Sequence, residues 1–135
     1  MARTRAPDRH RDEPRTVLIV EDQEPTRMLI KAAVEGTEID CRILEAADGD
    51  AALAAASRRR PDLVLLDIVL AGSGTSGVLV CHQLCKDPRT KVVIISGQSS
   101  AAIVQTCLNA GATAYLPKPF SLDALQVKVK GWLTS

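Results

Sequence analysis

Residues 17–22 read VLIVED, a continuous run of mostly branched apolar side chains that ends in two acids. Such a run suits a strand buried on both faces of a sheet, because a half-exposed strand would alternate apolar and polar residues. Two further runs have the same character, LVLL at 63–66 and VVII at 92–95. Weaker strands are expected at 41–46 and 114–116. The pattern therefore predicts five strands.

Helical patterns fill the intervals between these strands. The predicted helices span residues 25–34, 49–59, 77–86, 101–110 and 121–133. In the last of them, leucine and valine recur every three or four residues from Leu122 to Leu133, which gives one apolar stripe. Strict alternation of buried strands with helices implies right-handed crossovers and a parallel sheet covered on both faces. The fold class is α/β, a doubly wound five-stranded parallel sheet with five helices.

Composition limits the domain organisation and the partners. A chain of 135 residues fits one domain, and its hydrophobic fraction of 46% is enough for a core. Residues 1–15 are charged and lack periodicity, so we expect a disordered tail there and a folded domain over 16–135. A net charge of +1, with both signs mixed along the chain, does not favour direct nucleic-acid binding. The sequence shows no apolar run long enough to span a bilayer and no secretory signal, so we expect a cytoplasmic protein without membrane contact.

The four cysteines fit the same compartment. Cys41, Cys81, Cys85 and Cys107 form no zinc-type CxxC pairs, and free buried thiols are expected in a reducing environment. Cys81 and Cys85 share one predicted helix face. Two thiols without nearby partners rarely suffice for a metal, so a metal site there is disfavoured.

Polar side chains that could take part in a reaction follow the strands. Glu21 and Asp22 end the first strand, Asp67 ends the third, Ser96 ends the fourth, and Lys118 follows the fifth. Ligands of parallel sheets bind beyond the carboxyl ends of the strands, so these side chains should meet at one rim. Crowded carboxylates repel unless a cation lies among them, and hard oxygen ligands suit Mg²⁺. Asp67 would then be a phosphoryl-accepting nucleophile, with Lys118 and Ser96 on the phosphate side.

Four segments, in this order, resemble the successive motifs of response-regulator receiver domains. They are VLIVEDQEPTR (17–27), LVLLD (63–67), VVIISG (92–97) and AGATAYLPKPF (110–120). The resemblance covers about residues 16–133. It implies a flavodoxin-like strand order of 2-1-3-4-5 and a cis peptide between Lys118 and Pro119. It also implies a two-component system, in which a sensor histidine kinase or a phosphotransfer protein phosphorylates Asp67 in a Mg²⁺-dependent reaction.

The resemblance implies further roles. The backbone carbonyl of Val69 would join Glu21, Asp22 and Asp67 as a metal ligand. Ser96 and Tyr115 would form a switch that alters the surface of the fourth helix, fifth strand and fifth helix, where a downstream protein would bind. Such a domain is a phosphoacceptor that catalyses only its own phosphorylation and dephosphorylation, not an enzyme with a separate substrate.

One segment departs from the family pattern. Residues 67–81 read DIVLAGSGTSGVLVC, with Leu70-Ala71 where receivers usually carry Met-Pro. If Gly77 is the glycine that precedes the third helix, the loop at 69–77 is about two residues longer than usual and rich in Gly and Ser. A tolerated surface insertion and a functional loop both fit this segment.

Two other classes of protein compete with this interpretation. A haloacid-dehalogenase-type hydrolase also places a carboxylate after a parallel strand, but that family carries an Asp-x-Asp motif there. This chain has Val69 at the second position, so the acid that would transfer protons is missing. A pseudo-receiver would keep the fold as an interaction module that works without phosphorylation. Competent residues at all five site positions argue against it.

Overall fold

The structure, a computed structural model, describes residues 13–69, 76–97 and 101–135. Within these ranges the elements are β1 (Arg15–Val20), α1 (Glu24–Gly36), β2 (Cys41–Ala46), α2 (Gly49–Arg58), β3 (Leu63–Leu66), α3 (Gly77–Leu84), β4 (Lys91–Ser96), α4 (Ala101–Asn109), β5 (Ala114–Pro117) and α5 (Leu122–Thr134). All five strands pair in parallel in the order β2-β1-β3-β4-β5. The predicted fold class and the strand order implied by the resemblance are confirmed.

Element boundaries agree with the predicted ones or differ from them by one or two residues. β1 begins at Arg15, inside the segment predicted as a tail, because the Arg15 amide donates to the Asp40 carbonyl (2.9 Å). Residues 1–12 of that tail lie outside the described residues, as do residues 70–75 of the long loop. The Lys118–Pro119 peptide is cis, as the resemblance implied.

The core lies in two layers, one on each face of the sheet. Alternate residues of the central strands point to opposite faces. One layer packs under α1 and α5 and contains Val17, Ile19, Leu63, Leu65, Val93, Ile95, Ile30, Val34, Leu125 and Val129. The other packs under α2, α3 and α4 and contains Leu18, Val20, Val64, Leu66, Val92, Ile94, Ala52, Val80, Leu84 and Cys107. Burial on both faces explains why these strands read as continuous apolar runs.

The apolar stripe of α5 is shorter than predicted. Leu125, Val129 and Leu133 are buried, but Leu122 is 37% exposed. Ser121 caps the helix by accepting a hydrogen bond from the Ala124 amide (3.0 Å), which places Leu122 in the exposed first turn.

The cysteines are free thiols, as expected, but only Cys81 and Cys107 are buried; Cys41 and Cys85 are half-buried. Cys81 and Cys85 lie on one face of α3, with 3.9 Å between their sulfur atoms. Burial raises the pKa of both thiols and that of Cys107, which keeps them protonated and unreactive. None of the helices in the described part of the chain has the length and apolar character that a bilayer crossing requires.

Candidate functional site

Three carboxylates meet at the carboxyl edge of the sheet. Val20 and Leu66 are partners in the β1–β3 register, so the residues that follow them lie side by side. One carboxylate oxygen from each of Glu21, Asp22 and Asp67 lies within 4.8 Å of the others. Glu21 is fully buried and Asp67 is 5% exposed, so the cluster lies largely out of water.

The backbone of the two buried acids continues the hydrogen-bond ladder of the sheet. The Glu21 amide donates to the Ala46 carbonyl (3.0 Å), and the Asp67 amide donates to the Val20 carbonyl (3.0 Å). Both side chains therefore start from backbone positions that the sheet itself fixes.

Lys118 joins the two buried acids. Its Nζ donates to Glu21 Oε1 (2.7 Å) and to Asp67 Oδ2 (3.0 Å). The remaining oxygens are also bonded, because the Gln23 amide donates to Glu21 Oε2 (3.1 Å) and the Val69 amide donates to Asp67 Oδ1 (2.9 Å). A single ammonium group thus balances part of the charge of three carboxylates.

Burial and hydrogen bonding shift the pKa values of Glu21 and Lys118 in opposite directions. Burial raises the pKa of Glu21, and the hydrogen bonds from Lys118 and the Gln23 amide only partly offset it. Burial alone would lower the pKa of Lys118, but hydrogen bonds to Glu21 and Asp67 raise it overall. Lys118 is therefore a stable cation beside Asp67.

Ser96 and Tyr115 lie next to this cluster and contact each other. Ser96 is fully buried. Its carbonyl accepts hydrogen bonds from the Lys118 amide (3.2 Å) and from the Tyr115 hydroxyl (3.0 Å). The half-buried Tyr115 packs against the core layer under α2, α3 and α4. One carbonyl thus connects the two predicted switch residues to the lysine.

The sequence profile described as "Response regulator receiver domain" matches residues 17–130. The chain belongs to this family.

Known relatives agree with this assignment. The KDP operon transcriptional regulatory protein KdpE of Escherichia coli is 33% identical over 114 residues, which are 84% of this chain and 49% of that protein. The DNA-binding response regulator MtrA of Mycolicibacterium paratuberculosis is 32% identical over 117 residues, 87% of this chain and 50% of that protein. The receiver domain of NtrX from Brucella abortus has a TM-score of 0.77 at 32% identity, covering 88% of this chain and 98% of that one.

The chain spans about half the length of these two curated relatives. One of them is named a DNA-binding regulator, so the expectation of no direct nucleic-acid contact gains no support from the comparisons.

The structure brings together the receiver residues that the sequence selected. Glu21, Asp22, Asp67 and Lys118 form one cluster, and Ser96 adjoins it. Val69 reaches it through its amide, and its side chain is 52% exposed.

Gly77 is the first residue of α3 and follows the N-cap residue Ser76. A Cβ on Gly77 would lie 2.6 Å from the Ile68 carbonyl carbon and closer still to its Cα and oxygen. Only glycine lets α3 approach the turn after Asp67 this closely.

Sequence reasoning missed Arg27. Its Nη1 donates to the Glu21 carbonyl (2.8 Å), and its Nε pairs with Glu45 Oε1 (3.1 Å). The only sequence signal was its position in the first half of α1, six residues after Glu21, within the family-like motif.

The donor set fits the Mg²⁺ that receivers use. Three carboxylates with oxygens within 4.8 Å of one another carry more negative charge than Lys118 balances, and they offer the hard oxygens that Mg²⁺ prefers. An ion in this receiver would be held by Glu21, Asp22 and Asp67.

Proposed function

We propose that the chain is the phosphorylation switch of a two-component system, and that Asp67 accepts a phosphoryl group in a Mg²⁺-dependent reaction. The donor is a sensor histidine kinase or a phosphotransfer protein, and the protein acts in the cytoplasm. The observation that carries the proposal is the bridge from Lys118 to both Glu21 and Asp67, beside Asp22. This bridge supports the proposal because it sets an ammonium group beside the buried carboxylate of Asp67, the proposed nucleophile.

Each residue has a definite task in the transfer. An Asp67 oxygen attacks the phosphorus of the donor, a new O–P bond forms, and the bond to the donor's leaving group breaks with its electron pair. Lys118, kept charged by its neighbours, donates to a phosphoryl oxygen, and the Ser96 hydroxyl donates to another. The receiver transfers the group only to itself and is a phosphoacceptor.

The metal site completes the charge balance. Glu21, Asp22 and Asp67 would hold Mg²⁺, together with the Val69 carbonyl. When bound, the ion neutralises charge on the phosphoryl oxygens. Without that positive charge, the carboxylates would repel an incoming phosphate.

Output follows from the contact between Ser96 and Tyr115. A Ser96 hydroxyl drawn toward the phosphoryl group changes the space beside β4, and the Tyr115 ring can adjust to it. The surface of α4, β5 and α5 then changes, and a downstream protein binds there. Ile103 and Val127 leave apolar side chains exposed on α4 and α5, 41% and 71% respectively, which supports a role in contacts.

A small phosphodonor with Mg²⁺ tests the proposal, since it requires no kinase. We expect incorporation of one phosphoryl group in the wild type and in Asp123→Asn, which removes an exposed acid of α5. Asp67→Asn should incorporate none. Wild type that stays unmodified would instead support a phosphorylation-independent interaction module.

A further inference from the structure

Arg27 joins three segments around the acid cluster. From α1, its Nη1 donates to the Glu21 carbonyl at the end of β1 (2.8 Å), and its Nε donates to Glu45 Oε1 on β2 (3.1 Å). Lys31, one turn further along α1, also pairs with Glu45 (3.5 Å to Oε2). The Arg27 side chain is only 19% exposed, whereas that of Lys31 is 42% exposed. Arg27 is thus the inner member of this group.

The guanidinium group suits this task because its donors lie in one rigid plane. Its Nη1 donates to the Glu21 carbonyl, and its Nε donates to the Glu45 carboxylate. Glu45 therefore fixes the orientation of the guanidinium group, which in turn holds the Glu21 carbonyl. A lysine would offer a single flexible ammonium, which cannot fix two partners at set angles.

The Glu21 carbonyl belongs to the peptide that connects Glu21 and Asp22, the two acids directly after β1. This peptide unit is planar, so fixing its oxygen also fixes the direction in which the chain enters Asp22. On the other side of Glu21, its amide is held by the Ala46 carbonyl (3.0 Å). The Glu21 backbone is therefore held at both its amide and its carbonyl, and the carboxylates of Glu21 and Asp22 leave it in set directions.

We propose that Arg27 is a positioning residue for the divalent-cation site, acting through the Glu21–Asp22 peptide, with Glu45 as its anchor. The inference rests on the proposed function, since it assumes that the acid cluster binds Mg²⁺. Arg27 reaches the Glu21 carbonyl and the Glu45 carboxylate, and it carries the same sign of charge as the ion. By charge alone it would weaken Mg²⁺ binding; by position it strengthens binding. The two effects have opposite signs, which makes them separable.

The test is a Mg²⁺ titration followed by the backbone amide NMR signals of residues 20–23, which requires no phosphorylation. The variants are Arg27→Gln, which removes charge and geometry, and Arg27→Lys, which keeps the charge. Lys31→Gln is the matched control, because it removes the other partner of Glu45 and leaves the Glu21 carbonyl bonded. We expect both Arg27 variants to weaken Mg²⁺ binding by roughly ten-fold, the size typical of residues that orient metal ligands. Lys31→Gln should stay within about two-fold of the wild type.

Tighter Mg²⁺ binding in Arg27→Gln, with wild-type affinity in Arg27→Lys, would show a charge effect and overturn the inference. Unchanged affinity in both would overturn it too. If Arg27→Gln does not fold, Glu45→Gln takes its place, because this variant removes the anchor of the guanidinium group while Arg27 itself stays. Glu45→Gln should also weaken Mg²⁺ binding, but by a smaller factor than Arg27→Gln. A wild type that binds Mg²⁺ while the variants bind it equally well defeats this inference alone. A wild type that neither binds Mg²⁺ nor accepts phosphate defeats the proposed function as well.

Discussion

Gly77→Ala should destabilise the fold and disturb the phosphorylation site, although alanine is the better helix former. The added Cβ would lie 2.6 Å from the Ile68 carbonyl carbon, where ordinary contacts begin at 3.4 Å. Backbone atoms must therefore move apart by nearly 1 Å, and they belong to the residue that directly follows Asp67. No flexible side chain is available to absorb the shift.

The size of the effect follows from two opposing contributions. Overpacking of this kind costs about 1–3 kcal/mol. The higher helix propensity of alanine and the lower entropy of the unfolded chain offset up to about 1 kcal/mol of this cost. We therefore expect the free energy of unfolding of Gly77→Ala to fall by about 1–2 kcal/mol.

A second glycine of the same chain provides the control. Gly131 lies in α5, and a Cβ there would meet no atom within 4 Å. Gly131→Ala should therefore raise the free energy of unfolding by about 0.5–1 kcal/mol. Urea unfolding of the two variants at equal m-values measures the difference. Phosphorylation from a small donor should slow only in Gly77→Ala, because the shift reaches the Asp67 turn. Equal stabilities of the two variants would refute the close contact.

Three further substitutions test the electrostatics and the switch. Burial raises the pKa of Glu21, so the fold disfavours its charged form and loses stability as the pH rises above the ordinary value of 4.5. Glu21→Gln should therefore stabilise the metal-free protein by about 1 kcal/mol at pH 7. Urea titrations at different pH values measure this gain, which should vanish near pH 4. A hydrogen bond from the Arg89 amide lowers the pKa of Asp87, so its stabilising effect is present above the ordinary value of 3.8 and lost as pH falls through the lowered pKa. Asp87→Asn should cost about 0.5 kcal/mol at pH 7, and this cost should shrink steadily as the pH falls below 3.8; a cost that does not change with pH would contradict the assignment. Tyr115→Phe removes the hydrogen bond to the Ser96 carbonyl and should cost about 1 kcal/mol in thermal or urea unfolding, whereas wild-type stability would show that the bond is not made in solution.

The central strands and the cluster of Glu21, Asp22 and Asp67 could be predicted because each depends on local sequence. The VLIV, LVLL and VVII runs are buried on both faces, and that environment alone produces an unbroken apolar run. Parallel strands share one carboxyl edge, so the residues that follow Val20 and Leu66 had to meet.

The features that sequence reasoning missed depend on tertiary contacts. Arg27 and Glu45 are eighteen residues apart, and only the packing of α1 beside β2 shows that they pair. α1 continues to Gly36, beyond the predicted end at 34, and Gly36 lies against the Gln126 side chain of α5. Leu122 fits the apolar period but lies in a first turn that the helix cap exposes.

The location of the phosphoryl group tests the central claim most directly. The wild-type protein is labelled by a small phosphodonor in Mg²⁺, the acyl phosphate is reduced with borohydride, and peptide mass spectrometry identifies the converted aspartate. We predict conversion at Asp67 alone, and none when the metal is chelated. Conversion at Glu21 or Asp22, or label that forms equally well under chelation, would contradict the assignment of Asp67 as the acceptor of a metal-dependent switch.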